Sequence, residues 1–320
     1  MAKRRAAAVS VVLPVRNGAQ FVGQAIASIG RQTFEDFELV IVDDGSEDAT
    51  PAILARAAAA DRRIRVMTQP PLGLVASLNR AIADASAELI ARMDADDVAA
   101  PERLGRQTAA LAAHPGTAAI GSAWRIIDGA GTPLGVIRPP ISPAAIRARL
   151  QTANCMAHPT VLMRRQAVLA AGGYRAFPMC EDYDLWLRLS ERHDLRNLGE
   201  PLLDYRRHPG QCTWHGLEQR ILSELAALAA ARCRRSGLAD PADGIDLPTA
   251  DFLLGLGMTQ ACLRSEITGR ALGAARDAMA AGNRTAAEAA LTLARRQGGA
   301  RLRTRLGRLL LRGRTLLMPR

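Results

Sequence analysis

Hydrophobic positions in the first third of the chain alternate between two periods. "VSVVLPV" at 9–15 is short, apolar and β-branched, as a strand buried on both faces is, and "AQFVGQAIASIGRQ" then repeats its apolar positions at helical spacing. "FELVIVDD" restores the strand pattern and ends in acid. Thr50, read as a cap, and Pro51 in the first turn open the next helix, followed by a third strand "RIRVMTQ" and a helix "LVASLNRAIADA". "AELIARMDADD" is again a strand, Pro101 opens another helix, and "TAAIGSAW" is a further strand. Strand and helix in this alternation predict an α/β fold: a mostly parallel, open, Rossmann-like sheet over residues 9 to about 123, with right-handed crossovers and helices on its faces.

From 124 to about 208 the strands shorten. "DGAGTP" at 128–133 predicts a hairpin turn, "HPTVLMRR" a strand, and "EDYDLWLRLSER" an amphipathic helix with Leu185, Trp186 and Leu189 inward and Arg188 and Arg192 outward. Beyond about 217 the pattern is helical: "LEQRILSELAALAAARCRR", a Pro/Asp/Gly linker, then two helices around a Gly282–Asn283 turn. No repeat of fixed period recurs three times, so a solenoid is not supported. The expected division is 8–215, a helical region 216–298 and a basic, leucine-rich tail 299–320.

Composition narrows the classes. A chain of 320 residues with 48% hydrophobic content has ample material for a core. The formal charge of +11 suggests anionic partners, but Lys3 is the only lysine and arginine is spread throughout, so a nucleic-acid partner is not expected. Five cysteines without regular spacing predict reduced thiols and a cytoplasmic setting. The start "MAKRRAAAVSVVLPV" has the outline of a leader, yet Pro14, Arg16 and Asn17 interrupt it and a first strand fits better. No uncharged apolar run is long enough to cross a bilayer.

In an open parallel sheet, ligands bind where the carboxyl ends of the strands form a crevice. Here those ends read "PVRNG", "VDDGS" and "MDADD", and bring Asn17, Asp43, Asp44, Asp94, Asp96 and Asp97 to one edge. Turn and cap chemistry explains each acidic cluster singly. Together they repel unless a cation or donors neutralise them, and hard oxygen ligands select Mn²⁺ or Mg²⁺, an ion that arrives with substrate phosphates.

These motifs, with "HPTVLMRR", "CEDYDLWLRL" and "YRRHPGQCT", resemble the family 2 glycosyltransferases of the GT-A fold over residues 8 to about 215. The resemblance implies an inverting enzyme that moves a sugar from a nucleotide-diphospho-sugar, UDP-linked first, to a saccharide or lipid-linked hydroxyl acceptor. Asp44, with Asp43 close by, then contacts the base, and Pro14, Val15, Arg16 and Asn17 line the base and ribose pocket. Asp94, Ala95 and Asp96 form the Asp-x-Asp element for ribose and metal, while Asp97 is read as a cap of the next helix. Asp182 matches the general base and Glu181 is the weaker choice. His208 falls near the metal or leaving group on a loop able to close over the donor, Arg164, Arg165, Arg206 and Arg207 are further diphosphate candidates, and His158 shapes a turn beneath the acceptor site.

The chemistry agrees: an inverting transfer needs one carboxylate to take the acceptor proton and one cation on the leaving group. At a helix start, the dipole is expected to hold the Asp182 pKa down. "CTWH" at 212–215 has too few soft ligands for zinc. Two rivals remain at this level. A nucleotidyltransferase generally needs a glycine-rich loop after the first strand, where "LPVRNGAQF" has one glycine. A non-catalytic polyanion- or membrane-binding protein draws on the alternating arginines and leucines of the tail, which is also a candidate peripheral membrane contact for the enzyme.

Overall fold

The computed structural model describes residues 7–208, 210–211, 216–245 and 247–298. It has two compact units. The first runs through Met1–Ala176 and resumes over Glu181–His208; the second takes Phe177–Cys180 and the chain from Pro209.

The first unit is built on one nine-stranded sheet. Strands β1 (Val9–Val15), β2 (Phe37–Asp44), β3 (Ile64–Gln69) and β4 (Leu89–Arg92) lie in the order β3-β2-β1-β4, all parallel. Every residue of β1 is buried, as an apolar central strand requires, whereas the edge strand β3 is mostly half-buried. Helices α1 (Val22–Gly30), α2 (Thr50–Ala60) and α3 (Leu74–Asp84) make the crossovers, and the core lies between them and the sheet, around Val11, Leu13, Ile29, Leu39 and Leu54.

The other half of the sheet is mixed. Strand β6 (Thr117–Ile127) does not extend the parallel run. It reaches β4 through β8 (Leu162–Arg164), which is antiparallel to both, and pairs in parallel with β9 (Asp194–Arg206). The 128–133 turn makes the expected hairpin between β6 and β7 (Pro133–Ile137). The open, helix-flanked α/β architecture therefore holds, but its pairings divide evenly between parallel and antiparallel. Short-range pattern does not reveal this, because β8 and β9 arrive from far along the chain.

Three local expectations are corrected. Thr50 is the first helical residue of α2 and not its cap: the Asp48 carboxylate accepts its N–H at 2.9 Å, leaving the Thr50 hydroxyl for the Gly18 N–H at 2.9 Å. Val98–Ala99 forms a short strand β5 against β9, so α4 starts only at Arg103 and runs to Ala113. Helix α7 (Glu181–Ser190) forms where expected, but Arg188 is buried, drawn in by Asp184 four residues earlier.

The second unit contains α8 (Leu217–Arg235), α9 (Ala250–Gly255), α10 (Gln260–Ala280) and α11 (Arg284–Gln297), with α5 (Pro143–Leu150) and α6 (Arg165–Ala170) belonging to the first. Gly282, at a φ of 71°, and Asn283, whose side chain accepts the Ala286 N–H, turn α10 into α11 as expected. Among the described residues no helix is long and apolar enough to cross a membrane. The 299–320 tail lies outside the described residues.

Candidate active site

The loops after β1 and β2 are laced together by side chains that their own turns supply. Asn17, in the left-handed region at φ 51°, donates its N–H to the Ser46 hydroxyl at 2.9 Å and accepts the Glu47 N–H on its amide oxygen at 2.8 Å. Ala19 N–H reaches the Asp48 carboxylate at 3.0 Å. Val15 pairs with Asp43 across β1 and β2, so Pro14, Val15, Arg16 and Asn17 border the acid-bearing strand end. Arg16 and Asn17 are exposed there.

The two acids of this loop do different work. Asp44 accepts from the Gln69 amide at 2.7 Å, from Leu72 N–H at 2.9 Å and from Gly73 N–H at 2.8 Å, which engages both its oxygens. Burial alone would raise its pKa, but these donors, Gln69 foremost, hold it below the ordinary aspartate value. Asp43 is buried and accepts only the Ser46 N–H, so among the described residues its second oxygen is left for something else.

On the other flank of β1, Val12 pairs with Arg92 at the end of β4, and the chain continues into Asp94, Ala95 and Asp96. A Cβ added to Gly18 would lie 3.7 Å from the Ala95 methyl, which puts this loop against the first one. Carboxylate oxygens of Asp94, Asp96 and Asp97 come within 4.8 Å of one another. Asp97 is not a helix cap. Its Oδ1 accepts the Arg206 N–H at 2.8 Å, and its Oδ2 is buried with no partner. Burial, then Asp96 and Asp94, push the Asp97 pKa well above the aspartate range, and Asp96 is raised by burial and Asp94 with a partial offset from His208. Three hard oxygen donors, one of them an orphaned buried atom, fit a divalent cation.

Arginines shape this cluster more than sequence suggested. Arg92 is 2% exposed and ion-paired to Asp94. Arg206 donates to the Asp96 carbonyl at 2.8 Å and to Gln24 at 2.9 Å, and stacks over Phe21. His208 follows, with Nε2 3.0 Å from Asp96 Oδ2 and its ring against Phe21. Arg164 and Arg165 are not diphosphate ligands. Arg164 pairs with Leu89 at the opposite end of β4 and donates to the Thr117 and Leu111 carbonyls, while Arg165 donates to Ile82 and Ala83 at the end of α3. Arg207 is half-buried, and its backbone N–H bonds to Ile127. Residues 212–215 lie outside the described residues.

Asp182 stands in the first turn of α7. Its Oδ2 accepts the Asn154 amide N–H at 2.8 Å and its Oδ1 the Tyr183 N–H at 2.6 Å. Against the helix-dipole expectation, its pKa is raised to about 6: burial is the largest cause, and the neighbouring Glu181 charge adds to it. An edge of the residue still reaches solvent. His158 lies in a single 3₁₀ turn, His158–Thr160, with Nε2 2.7 Å from the Tyr174 hydroxyl and Nδ1 3.6 Å from Glu181. Burial, reinforced by Arg92, holds this imidazole neutral with a pKa of about 3, and the charges of Asp182 and Asp94 both act on it. A buried polar layer of His158, Tyr174 and Glu181 thus lies within electrostatic reach of both the acidic cluster and the carboxylate on α7. Sequence reading missed Arg92, Asn154 and Tyr174 as members of the site. Only Arg92 left a signal, as a charge inside the otherwise apolar strand "LIAR".

Residues 10–171 match the model of the family described as glycosyl transferase family 2. The O-antigen biosynthesis glycosyltransferase WbnJ of Escherichia coli is 35% identical over 204 residues, covering 62% of this chain and 80% of that protein. Among solved structures, S. aureus TarS 1–349 in complex with UDP-GlcNAc superimposes at a TM-score of 0.61 with 17% identity, over 88% of this chain and 90% of that one. The Pyrobaculum calidifontis mannosyltransferase PcManGT in complex with GDP-Man and Mn²⁺ does so at 0.54 with 18% identity, over 97% and 80%. At such identities the structural likeness establishes the fold, while the family match and WbnJ establish descent. The chain belongs to the family 2 glycosyltransferases.

Proposed function

We propose that the chain is an inverting, divalent-metal-dependent glycosyltransferase that moves a sugar from a UDP-linked donor to a hydroxyl of a saccharide or lipid-linked acceptor in the synthesis of a cell-surface polysaccharide or glycolipid. The observation that carries this reading is the convergence of Asp43, Asp94, Asp96 and Asp97 on one edge of the sheet, from strand ends more than fifty residues apart in sequence. An O-antigen relative, and fold relatives solved with UDP-GlcNAc or with GDP-Man and Mn²⁺, support the same reading.

Each residue has a role in that scheme. Pro14, Val15, Arg16 and Asn17 line the base and ribose pocket. Asp43 takes the base contact through its remaining oxygen, while Asp44 braces the Leu72–Gly73 loop beside it. Asp94, Asp96 and Asp97 would hold Mn²⁺ or Mg²⁺, with His208 fixing the Asp96 carboxylate. When bound, such an ion stabilises negative charge on the departing diphosphate. Asp182 accepts the proton of the attacking hydroxyl as the new glycosidic bond forms on the face opposite the leaving group. Glu181 is turned to His158 in the buried layer, which suits it poorly to act as a covalent nucleophile.

Binding is testable without knowing the sugar. UDP with Mn²⁺ at about a hundredfold over its Kd should stabilise the protein by roughly 2.7 kcal/mol in a thermal melt. Asp96→Ala should lose the metal-dependent part of that shift, and an equal shift in both proteins would count against the site. In this reading catalysis belongs to a segment 8–215, followed by a helical region 216–298 and the tail 299–320. The arginine- and leucine-rich tail is proposed to rest on the cytoplasmic membrane face, where a lipid-linked acceptor is presented. Full-length protein should then float with anionic liposomes and a chain ending at 298 should not; equal flotation would remove the idea.

A further inference from the structure

The base reading leaves open what holds a half-buried carboxylate in one orientation and keeps it able to accept a proton. The segment Leu150–Met156, which links α5 to the 3₁₀ turn, makes three successive contacts with the start of α7. Leu150 accepts the Tyr183 hydroxyl at 2.6 Å, Met156 accepts the Trp186 indole N–H at 3.2 Å, and between them Asn154 donates to Asp182 Oδ2 at 2.8 Å. Tyr183 and Trp186 are fully buried anchors, whereas Asn154 is exposed.

The Asn154 amide has no freedom to turn over. Its Oδ1 accepts the Met156 N–H at 3.1 Å, so the face presented to Asp182 is the NH₂. An exposed asparagine held from both sides in this way is not a loop residue that happens to pass near a carboxylate. It supplies the only side-chain hydrogen bond to Asp182 found among the described residues.

We infer that Asn154 is the positioning residue of the base: its fixed amide N–H orients the Asp182 carboxylate towards the acceptor and favours the ionised form that can take a proton. The inference rests on the assignment of Asp182 as base. Other titratable groups facing Asp182 are Glu181 on its own helix and His158 from the 3₁₀ turn, with Tyr174 and Arg92 packed beyond the imidazole. Glu181 disfavours the carboxylate and His158 acts in the opposite direction, while among the described residues no cationic side chain is hydrogen-bonded or ion-paired to Asp182. A hydrogen bond given to a carboxylate lowers its pKa, and removing the donor raises it.

The test is a ¹³C NMR titration of full-length protein labelled at the aspartate carboxyl carbons, with the Asp182 signal identified by its absence from Asp182→Asn. In unaltered protein that signal should titrate near pH 6. In Asn154→Ala it should titrate about one pH unit higher, the size of a lost hydrogen bond to a charged group. Asn154→Asp retains an oxygen for the Met156 N–H but exchanges the donor for a second carboxylate, and should raise the value further. Both variants keep the Tyr183 and Trp186 anchors, so melting temperatures within a few degrees of the parent accompany the expected result. An Asp182 signal that titrates at the same pH in all three proteins overturns the inference. A shifted titration together with full turnover by Asp182→Asn would leave the contact standing but remove the base, and with it the positioning role.

Discussion

Turnover by Asp182→Asn should fall by about 10²- to 10⁴-fold, the usual contribution of a positioned general base. Asparagine keeps the size of the side chain and can still accept the Tyr183 N–H, so the helix start survives. What it loses is a site for the acceptor proton. UDP binding with Mn²⁺ should be unaffected, because Asp43, Asp94 and Asp96 are untouched; the loss then appears in kcat and not in donor affinity. In unaltered protein the same group should set the acid limb of the rate profile. Burial and Glu181 raise its pKa to about 6, so the carboxylate is protonated and inactive below that value and ionised above it. Log kcat should climb with pH through about 6 and then level off. Near-normal turnover by Asp182→Asn, or a flat profile across that range, would place the base elsewhere.

Asp184→Ala should be the most damaging single change to stability. Asp184 is wholly buried and accepts from Arg188 Nε at 2.9 Å and Nη2 at 2.7 Å and from Arg175 Nε at 3.0 Å. Arg188 in turn donates to the Gly173 carbonyl at 2.8 Å, and Asn79 from α3 clasps Tyr174 through both its backbone groups. Removing the carboxylate strands the charge of the buried Arg188 without its Asp184 partner and takes the same partner from the more exposed Arg175, which costs about 3–5 kcal/mol, or roughly 10 °C of Tm in a domain of this size. Thermal melts followed by circular dichroism measure this directly. Adding Arg188→Leu should recover part of the loss, since it removes the stranded charge. An Asp184→Ala protein that melts with the parent would show that the arginines find other partners.

Much of this architecture could be read from the chain because its signals are local. The apolar runs at 9–15 and 37–44, the helical spacing between them and the acids at strand ends are statements about neighbouring residues. Gly282–Asn283 and the 128–133 turn are equally local, and both form as expected. The misreadings concern partners distant in sequence. Asp97 looked like a cap because a proline follows it, but its role is set by Arg206, more than a hundred residues away. Arg188 looked solvent-facing until Asp184 and the Gly173 carbonyl drew it inward. The Asp182 pKa followed burial and Glu181, which outweigh a helix terminus. Which of Asp43 and Asp44 keeps an oxygen for a ligand depended on where the Leu72–Gly73 loop lands, and no spacing rule gives that.

The sugar transfer proposed for this chain has its scattered acids share one divalent ion beside the donor diphosphate. Anomalous diffraction at the manganese edge, from crystals grown with UDP and Mn²⁺, addresses that requirement most directly. The account predicts a single strong manganese peak bounded by the carboxylates of Asp94, Asp96 and Asp97, with the uracil ring beside Asp43. A peak at any other place, or a diphosphate held with no manganese among those three residues, would contradict it.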